Sequence, residues 1–477
     1  MRPLLITLSL VVAAIVLAGN AAATTRVFPH CGTLAKCMSN ANPGDTVVLK
    51  TNGTAVIPTF GLTKGLSLKP AAGYKPTVAS NGSVSTIAFS PAENGATVSI
   101  RGIKFRNVEL NLEFDDGSDH RVIVVGNRFT NPGDDGIISY YGGTSSGTLT
   151  IRNNRIAVGG TGIDARVQGG TVTIGGNQVY GTGAHAIYGG ILLYLAESPE
   201  FEGRIENNVV HHANEGIHVK VFSPQIFDLM LLNNTVDGVG DSASSAGAGV
   251  HLTAEDGALL DARFFNNIIS NTYGNGIQVD TTGSVNVVGD RNDEYHVPGN
   301  AFDHPVGPLL HVKPGYVDRV ANNFRLLPTS ALVNAGQTCI DITPLPRGDA
   351  ARKFRVAGKA VDVGAYERGS TISGSVPGFN VNGADFADVI TGTSGRDILC
   401  GLGEADTLKG HGGPDLIFGG DGNDHLWGDG GPDRVLGGLG ADRVNVRDGV
   451  HGNDTAVGGA GQDTCLSDPG DTRIGCP

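Results

Sequence analysis

Nine aspartates recur along one glycine-rich stretch. Asp388, Asp397, Asp406, Asp415, Asp424, Asp433 and Asp442 stand nine residues apart, and Asp454 and Asp463 follow after a three-residue insertion. Carboxylates at such a period suit the binding of a hard cation. Calcium takes about six to eight oxygen ligands at roughly 2.3–2.6 Å in flexible geometry. The unit is G-G-x-G-x-D-x-U-x, a six-residue turn followed by a three-residue strand. Its glycines admit the positive backbone angles of a tight turn and leave carbonyls pointing inward. Its sixth residue supplies a carboxylate. Its eighth is apolar (Leu399, Leu408, Ile417, Leu426, Val435, Val444) and points into a thin core. Stacked units form a parallel β-roll with oxygens in a column on one edge, and Ca2+ is the expected cofactor. Glu404 and Phe386 replace the glycine of the fourth position, and Val446-Arg-Asp448 breaks the register. The best sites are therefore expected between Gly392 and Asn445.

A second set of side chains could run a reaction: Asp164, Arg166, Tyr188, His218, Lys220 and His251. They are far apart in sequence and converge only if the chain between Val122 and Asp280 coils. It carries the marks of coiling. Polar corners recur at Gly126-Asn127, Asn153-Asn154, Gly176-Asn177, Asn207-Asn208, Asn233-Asn234 and Asn266-Asn267. After each comes a small residue followed by Ile or Val, at Ile137, Ile163, Ile187, Ile217, Val250 and Ile277. Short strands, Gly/Asn turns and no helical periodicity predict a right-handed parallel β-helix. The corner asparagines can stack as a ladder. With the Ile/Val positions inside, residues one and three further on face out, because side chains alternate along a strand. That column holds Ile138/Tyr140, Asp164/Arg166, Tyr188/Gly190, His218/Lys220, His251/Thr253 and Gln278/Asp280. Arg166 or Lys220 could neutralise a uronate carboxylate, His218 or His251 could take the C5 proton, and Tyr188 could protonate a leaving oxygen. His211-His212 sits beside a turn and reads as surface, and Trp427 as a packing residue.

The predicted architecture is all-β: a right-handed parallel β-helix followed by a parallel β-roll. Residues 1–23 have a basic start, a short apolar run and an A-x-A end, which describe a secretory signal peptide. Residues 24–368 form the β-helix with its caps, 369–382 a linker, 383–466 the roll and 467–477 a tail. Cys31–Cys37 supplies a short helix at the first cap, and Asn323–Ser330 leads into the second. Net charge is -13, and from Val381 to Pro477 15 Asp and 1 Glu face 6 Lys and Arg, so the ladder carries -10 of it. Such acidity argues against a nucleic-acid partner, which wants a basic face. No apolar stretch after the signal is long enough to span a membrane. Six cysteines in an exported chain suggest disulfides; proximity favours Cys31–Cys37 and Cys465–Cys476, leaving Cys339 and Cys400.

The Pro43-Gly-Asp-Thr-Val start, the N-N-x-[IV] coils and the Phe324-Arg-Leu…Val361-Asp-Val-Gly-Ala-Tyr-Glu367 ending resemble bacterial exported β-helix proteins of the pectate-lyase-like superfamily. Gly383–Leu466 resembles RTX repeats. Mannuronan C5-epimerases join the same two module types, and this architecture is similar to theirs, although their Asp-Pro-His catalytic signature is absent. Two functions are expected from this reading. One is a secreted, extracellular lyase or C5-epimerase acting on an acidic polysaccharide. The other is a non-enzymatic, calcium-dependent protein that binds a cell-surface or matrix glycan.

Overall fold

The computed structural model describes residues 23–80, 82–114, 119–130, 135–141, 147–181, 187–196, 201–240, 247–281, 283–297, 309–333, 335–336, 363–366, 380–382, 387, 389–403 and 405–476. The expected signal peptide, Asp388, Cys339 and Glu404 lie outside these residues.

Short strands with one apolar face cannot bury that face alone; stacking coil on coil buries it continuously. From Thr25 to Tyr295 the chain does this as three parallel sheets of 11, 9 and 10 strands, each strand pairing with its equivalent in the next coil. Coiling therefore begins well before Val122. The 9-stranded sheet is here called the groove sheet, and the 11-stranded one the flank sheet. One core runs down the axis, from Leu49 and Phe89 through Ile151 and Val219 to Ile277. Its open end is plugged by helix α1 (Leu34–Ser39), whose Leu34, Cys37 and Met38 are fully buried. Thr33 caps α1 by accepting the backbone N–H of Lys36. The Cys31–Cys37 disulfide ties the helix to the turn before it.

The corner asparagines form the ladder that their spacing predicts. Asn127, Asn154, Asn177, Asn208, Asn234 and Asn267 each donate Nδ2 to the Oδ1 of the next rung at 2.9–3.1 Å, ending on Asn292. The residue before each rung takes a positive φ: Asn153, Asn207, Asn233 and Asn266 at 55–58°, with Gly126 and Gly176 in the same region. Only Gly and Asn enter it readily, which is why the signature is a dipeptide. Asn208→Ala would remove the acceptor for the Asn177 backbone N–H and side chain, and the donor to Ile174 O. We expect it to lower the unfolding free energy by about 1–3 kcal/mol, read by denaturant titration.

The second cap differs from expectation. Asn323–Leu326 pairs antiparallel with Tyr316–Asp318 and lies along the side of the helix. Phe324 packs with Val209 and Ala365, and its ring meets His211 at 4.9 Å. Arg319 pairs with Asp237 at 2.5 Å. The strap thus buries His211, which is no surface residue; desolvation pushes its imidazole down to about 3.

The roll's strands run from Asn380–Asn382 to Thr472–Ile474 in two sheets. One full turn takes two nonapeptides, so each strand pairs with the one 18 residues on, as Ile417 does with Val435. Alternate repeats consequently belong to opposite sheets, and their flanking residues differ. One sheet shows Thr407, Lys409, His425, Trp427, Arg443 and Asn445 outward, with Lys409 Nζ 5.1 Å over the half-buried Trp427 ring. The other shows Ile398, Leu416, Phe418 and Leu436, which pack on Met230, Leu232 and Phe265 of the flank sheet. Sheet membership explains this pattern, which a period of nine conceals. Cys465–Cys476 is bonded as expected. Cys400 is also disulfide-bonded rather than free.

Candidate functional site

From Asp164 onward the outward face of the groove sheet matches the expected column in every coil but one; the side chains of Ile138 and Tyr140 lie outside the described residues. Asp164 and Arg166 stand beside Leu192 and Tyr194, which stand beside His218 and Lys220, and these beside His251 and Thr253. Gln278 and Asp280 follow. In the third coil Ile191 is in register with the inward Ile163 and Ile217, so the groove tyrosine is Tyr194. Tyr188 lies four positions too early in Ile187–Ala196, and its side chain is outside the described residues.

Corner glycines set this register. A Cβ on Gly162, Gly190, Gly216 or Gly249 would meet Val179, Val210, Val236 or Ile269 of the third sheet at 2.1–2.5 Å. The position before the inward Ile or Val therefore also faces the core and must be glycine. Ala186-Ile187 lacks it and Gly190-Ile191 has it. Two successive inward residues shift the alternation by one, and this turns Glu215 out into the groove beside His218.

Glu215 joins two histidines. Its Oε2 lies 2.8 Å from His218 Nδ1 and its Oε1 3.1 Å from His251 Nδ1. On its far side, His251 Nε2 lies 2.8 Å from Asp280 Oδ2. The His218 and His251 rings stack at 4.2 Å and 10°. These partners assign the protons. His251 faces a carboxylate at each nitrogen; burial lowers its pKa, but the bonds to Glu215 and Asp280 outweigh that and raise it, which favours the form with two protons. Burial opposes the ionised form of Glu215 too, yet the two histidines hold its carboxyl down at about 2. His218 turns Nδ1 to Glu215, so in its neutral form Nδ1–H donates there and Nε2, 3.2 Å from the Thr253 hydroxyl, carries the lone pair. Two carboxylates thus favour the charged form of His251, while His218 has one.

By donor type, Glu215, His218 and His251 could also hold a metal ion, with one atom of each within 4.8 Å of the others. A metal sits in the plane of each imidazole that binds it, and two near-parallel stacked rings cannot both meet one ion that way. The arrangement present is a proton chain.

Tyr194 stands 6.0 Å from the His218 ring. Burial, then the Asp164 charge, raises its pKa, so the phenol keeps its proton at neutral pH. Both expected cations already have carboxylate partners: Arg166 with Asp164 at 2.9 Å and Lys220 with Glu255 at 2.7 Å. Arg166 also covers the Tyr194 ring at 5.5 Å. Alternation places Asp280 in the column, but Glu215 and Glu255 depend on a corner and a strand end that it cannot place.

In the roll, the aspartates form two columns on opposite edges, where the nine-residue period had suggested one. The backbone N–H of Asp397, Asp406, Asp415 and Asp424 donates to Oδ1 of the aspartate 18 residues later at 2.8–2.9 Å. Across the insertion the step becomes 21, at 2.8 Å for Asp433 to Asp454 and 3.0 Å for Asp442 to Asp463. The insertion is absorbed in a turn, so the ladder continues through it and the expected break does not occur. Asp415, Asp424, Asp433, Asp442, Asp454 and Asp463 are at most 4% exposed, yet among the described residues their Oδ2 atoms have no hydrogen-bond partner.

Residues 87–292 match the family described as "Right handed beta helix region". Residues 380–408, 409–444 and 449–474 match "RTX calcium-binding nonapeptide repeat". The chain is a right-handed parallel β-helix protein with RTX repeats. No curated protein matches it. Among solved structures it is similar to "pectate lyase Pel9A" at 17% identity and a TM-score of 0.37, covering 70% of this chain and 90% of that one. It is also similar to the "PL6 family alginate lyase AlyGC" at 12% identity and a TM-score of 0.28, covering 94% of this chain and 78% of that one. Both scores are too low to carry a substrate or a reaction across.

The RTX aspartates fit calcium. A Cβ on Gly410, Gly419 or Gly437 would fill the space between an aspartate Oδ2 and a carbonyl of the next turn, at 2.2–2.6 Å from each. The two atoms nearest that space are in each case a carboxylate and a carbonyl oxygen, the donors a hard cation prefers. Asp397, Asp406, Asp415, Asp424, Asp433, Asp442, Asp454 and Asp463 would hold the ions with those carbonyls. Ahead of any cation, burial pushes Asp415 up to about 9, Asp433 to about 8, and Asp424 and Asp454 to about 6.

Proposed function

We propose that the groove sheet binds a polysaccharide and acts on a uronate residue as a lyase or C5-epimerase, outside the cell, where calcium keeps the RTX roll folded. The observation that carries this reading is the stacked histidine pair bridged by Glu215, with a second carboxylate, Asp280, on His251. His218 Nε2 takes the C5 proton. The His251 imidazolium stabilises the negative charge that develops on the uronate carboxyl. For elimination, the C5–H electron pair forms C4=C5 as the C4–O bond breaks, and the Tyr194 phenol protonates the departing oxygen. For epimerisation, Tyr194 returns a proton to C5 from the other face.

A second reading, a non-enzymatic glycan-binding or adhesive protein, draws support from the pairing of Arg166 and Lys220, which leaves less positive charge for a polyanion. One assay separates the two. The full chain with calcium is incubated with a panel of uronate polymers in D2O. Ultraviolet absorbance reports unsaturated ends, and NMR reports exchange at C5. Turnover lost in His218→Ala supports catalysis. Binding without product or exchange on every polymer supports the second reading.

A further inference from the structure

The third sheet of the β-helix carries a stripe of cations that the groove does not use. Phe105, Phe129 and Ile156 of this sheet are buried in the core, so Lys104, Arg106, Arg128 and Arg155 beside them point out, and all four are exposed. The register sets Lys104, Arg128 and Arg155 side by side on three successive coils, with Arg106 two positions along from Lys104. Neighbouring coils are ~4.8 Å apart, and like charges directly opposite one another are destabilising. No carboxylate relieves this. The strands of the sheet from Thr54–Val56 to Gln178–Gly181 contain no acidic residue. Arg166 and Lys220 of the groove each have a carboxylate partner; among the described residues the four cations of the stripe have none. All this is the reverse of the chain as a whole, whose net charge is -13. The stripe also lies beyond the strap. The strap packs on the later strands of the sheet, at Val209, His211 and Asp237, and reaches Gln178, whose Nε2 donates to Asn322 O at 3.5 Å. Arg155 is on the coil before Gln178. Its Nε donates to the Tyr180 hydroxyl at 3.2 Å and its guanidinium lies 5.3 Å from the Tyr180 ring centre.

We propose that this stripe is an anchoring site for a strand of acidic polysaccharide, laid along the axis of the β-helix on a different sheet from the groove. Charge complementarity selects the occupant. The cations form a line, as a linear polyanion needs. They come one per coil, at ~4.8 Å, which suits a polymer with one carboxylate on each sugar. A nucleic-acid duplex packs one charge into about 1.7 Å, and the net charge of -13 repels so dense an anion. Three of the four cations are arginines, whose planar guanidinium takes a carboxylate through two parallel hydrogen bonds. A lipid surface would want large apolar side chains among the cations, and the positions beside Arg128 and Arg155 hold Thr130 and Ala157. A bound strand replaces the repulsion along the stripe with ion pairs. The site uses none of the groove histidines, so it stands whether the groove acts on its glycan or only holds it.

The test uses the calcium-loaded full chain carrying His218→Ala, so that turnover in the groove plays no part. The probes are a polygalacturonate oligomer, its neutral methyl ester, an oligothymidylate of the same charge and phosphatidylglycerol vesicles. NMR follows the side-chain Nε–H signals of Arg106, Arg128 and Arg155, which report on the stripe alone. These signals are expected to shift with the polygalacturonate and to stay in place with its ester. Arg128→Gln together with Arg155→Gln is expected to weaken the binding that the Arg106 signal reports by at least about tenfold. It should also flatten the fall of that affinity with salt, because fewer counterions are released. Arg128→Gln alone, with no ligand present, is expected to raise the thermal midpoint at low salt and to leave it unchanged at high salt, since it removes the middle charge of the row. Signals that ignore the polygalacturonate overturn the site. So does a shift of equal affinity with the neutral ester. Tighter binding of the oligothymidylate or the vesicles at the same signals overturns the glycan as the occupant. A thermal midpoint that falls at low salt in Arg128→Gln shows that Arg128 is already compensated within the chain, and it overturns the stripe as a free surface.

Discussion

Chelating calcium is expected to unfold the RTX roll while the β-helix stays folded. Six aspartates in the roll are almost fully buried with a carboxylate oxygen facing no donor. A buried, uncompensated carboxylate costs several kcal/mol, whereas a whole domain is stable by only about 5–15 kcal/mol. The opposing core is small, essentially one apolar residue per strand from Ile390 to Cys465. Cation binding thus becomes folding free energy. The β-helix carries less of this cost among the described residues: unpartnered buried carboxylate oxygens there are confined to Asp293 and Glu294 in its last strand, its core is continuous, and its ladder asparagines are mutually satisfied. Circular dichroism of the full chain should show a partial loss of β signal on chelation and its return with calcium. Hydrogen exchange should locate the loss in residues 389–476. The roll's apolar sheet covers Met230, Leu232 and Phe265, so a dye that binds apolar surface should brighten at the same calcium concentration. A roll that keeps its exchange protection in chelator would contradict the assignment of these aspartates.

Replacing Glu215 should cost the groove more activity than any change except loss of His218. Glu215→Gln keeps the shape and removes the charge. A glutamine amide can accept from only one of the two imidazoles; its nitrogen meets the other Nδ1–H donor to donor. The His218 tautomer is then no longer set and His251 loses one of the carboxylates that keep it charged. Loss of general acid–base catalysis is typically worth about 10²–10⁴-fold, and a fall of that order in kcat is expected for Glu215→Gln and for His218→Ala.

Linkage gives the same cluster a pH signature. The Glu215 pKa is depressed to about 2, so its contribution to stability is present above the unfolded value of 4.5 and fades as pH falls toward 2. The His251 pKa is raised, so its contribution is complete below the unfolded value of 6.5 and fades as pH rises through the folded one. The cluster contributes most between those unfolded values. Glu215→Gln should flatten the difference in thermal midpoint between pH 6 and pH 9; an unchanged difference would remove Glu215 from its bridging role.

Much of this molecule was legible before folding was considered, and locality explains which parts. In the nonapeptide, glycine turn, carboxylate and apolar residue all lie within nine positions, so composition at fixed spacing suffices to name the ion and its ligands. The Gly-Asn and Asn-Asn corners are equally local, since one residue needs a positive φ and the next stacks on its copy. The groove is not local. Tyr194 replaces Tyr188 because more residues separate Asn177 from the inward Ile191 than separate Asn154 from Ile163 or Asn208 from Ile217, and only the fit of Gly190 against Val210 chooses between two apolar starts in Ile187–Ala196. Glu215 enters because two successive residues turn inward at Gly216. Asp280 and Glu255 reach their partners from other coils. The apolar flanks of alternate nonapeptides are visible in the sequence, but it takes two repeats per turn to gather them on one sheet. Sequence by itself determined the calcium ladder and the coiled architecture, because both repeat short-range rules. Only tertiary structure decided which side chains share the groove, because that depends on how loops of unequal length and corners of fixed parity bring one coil into register with the next.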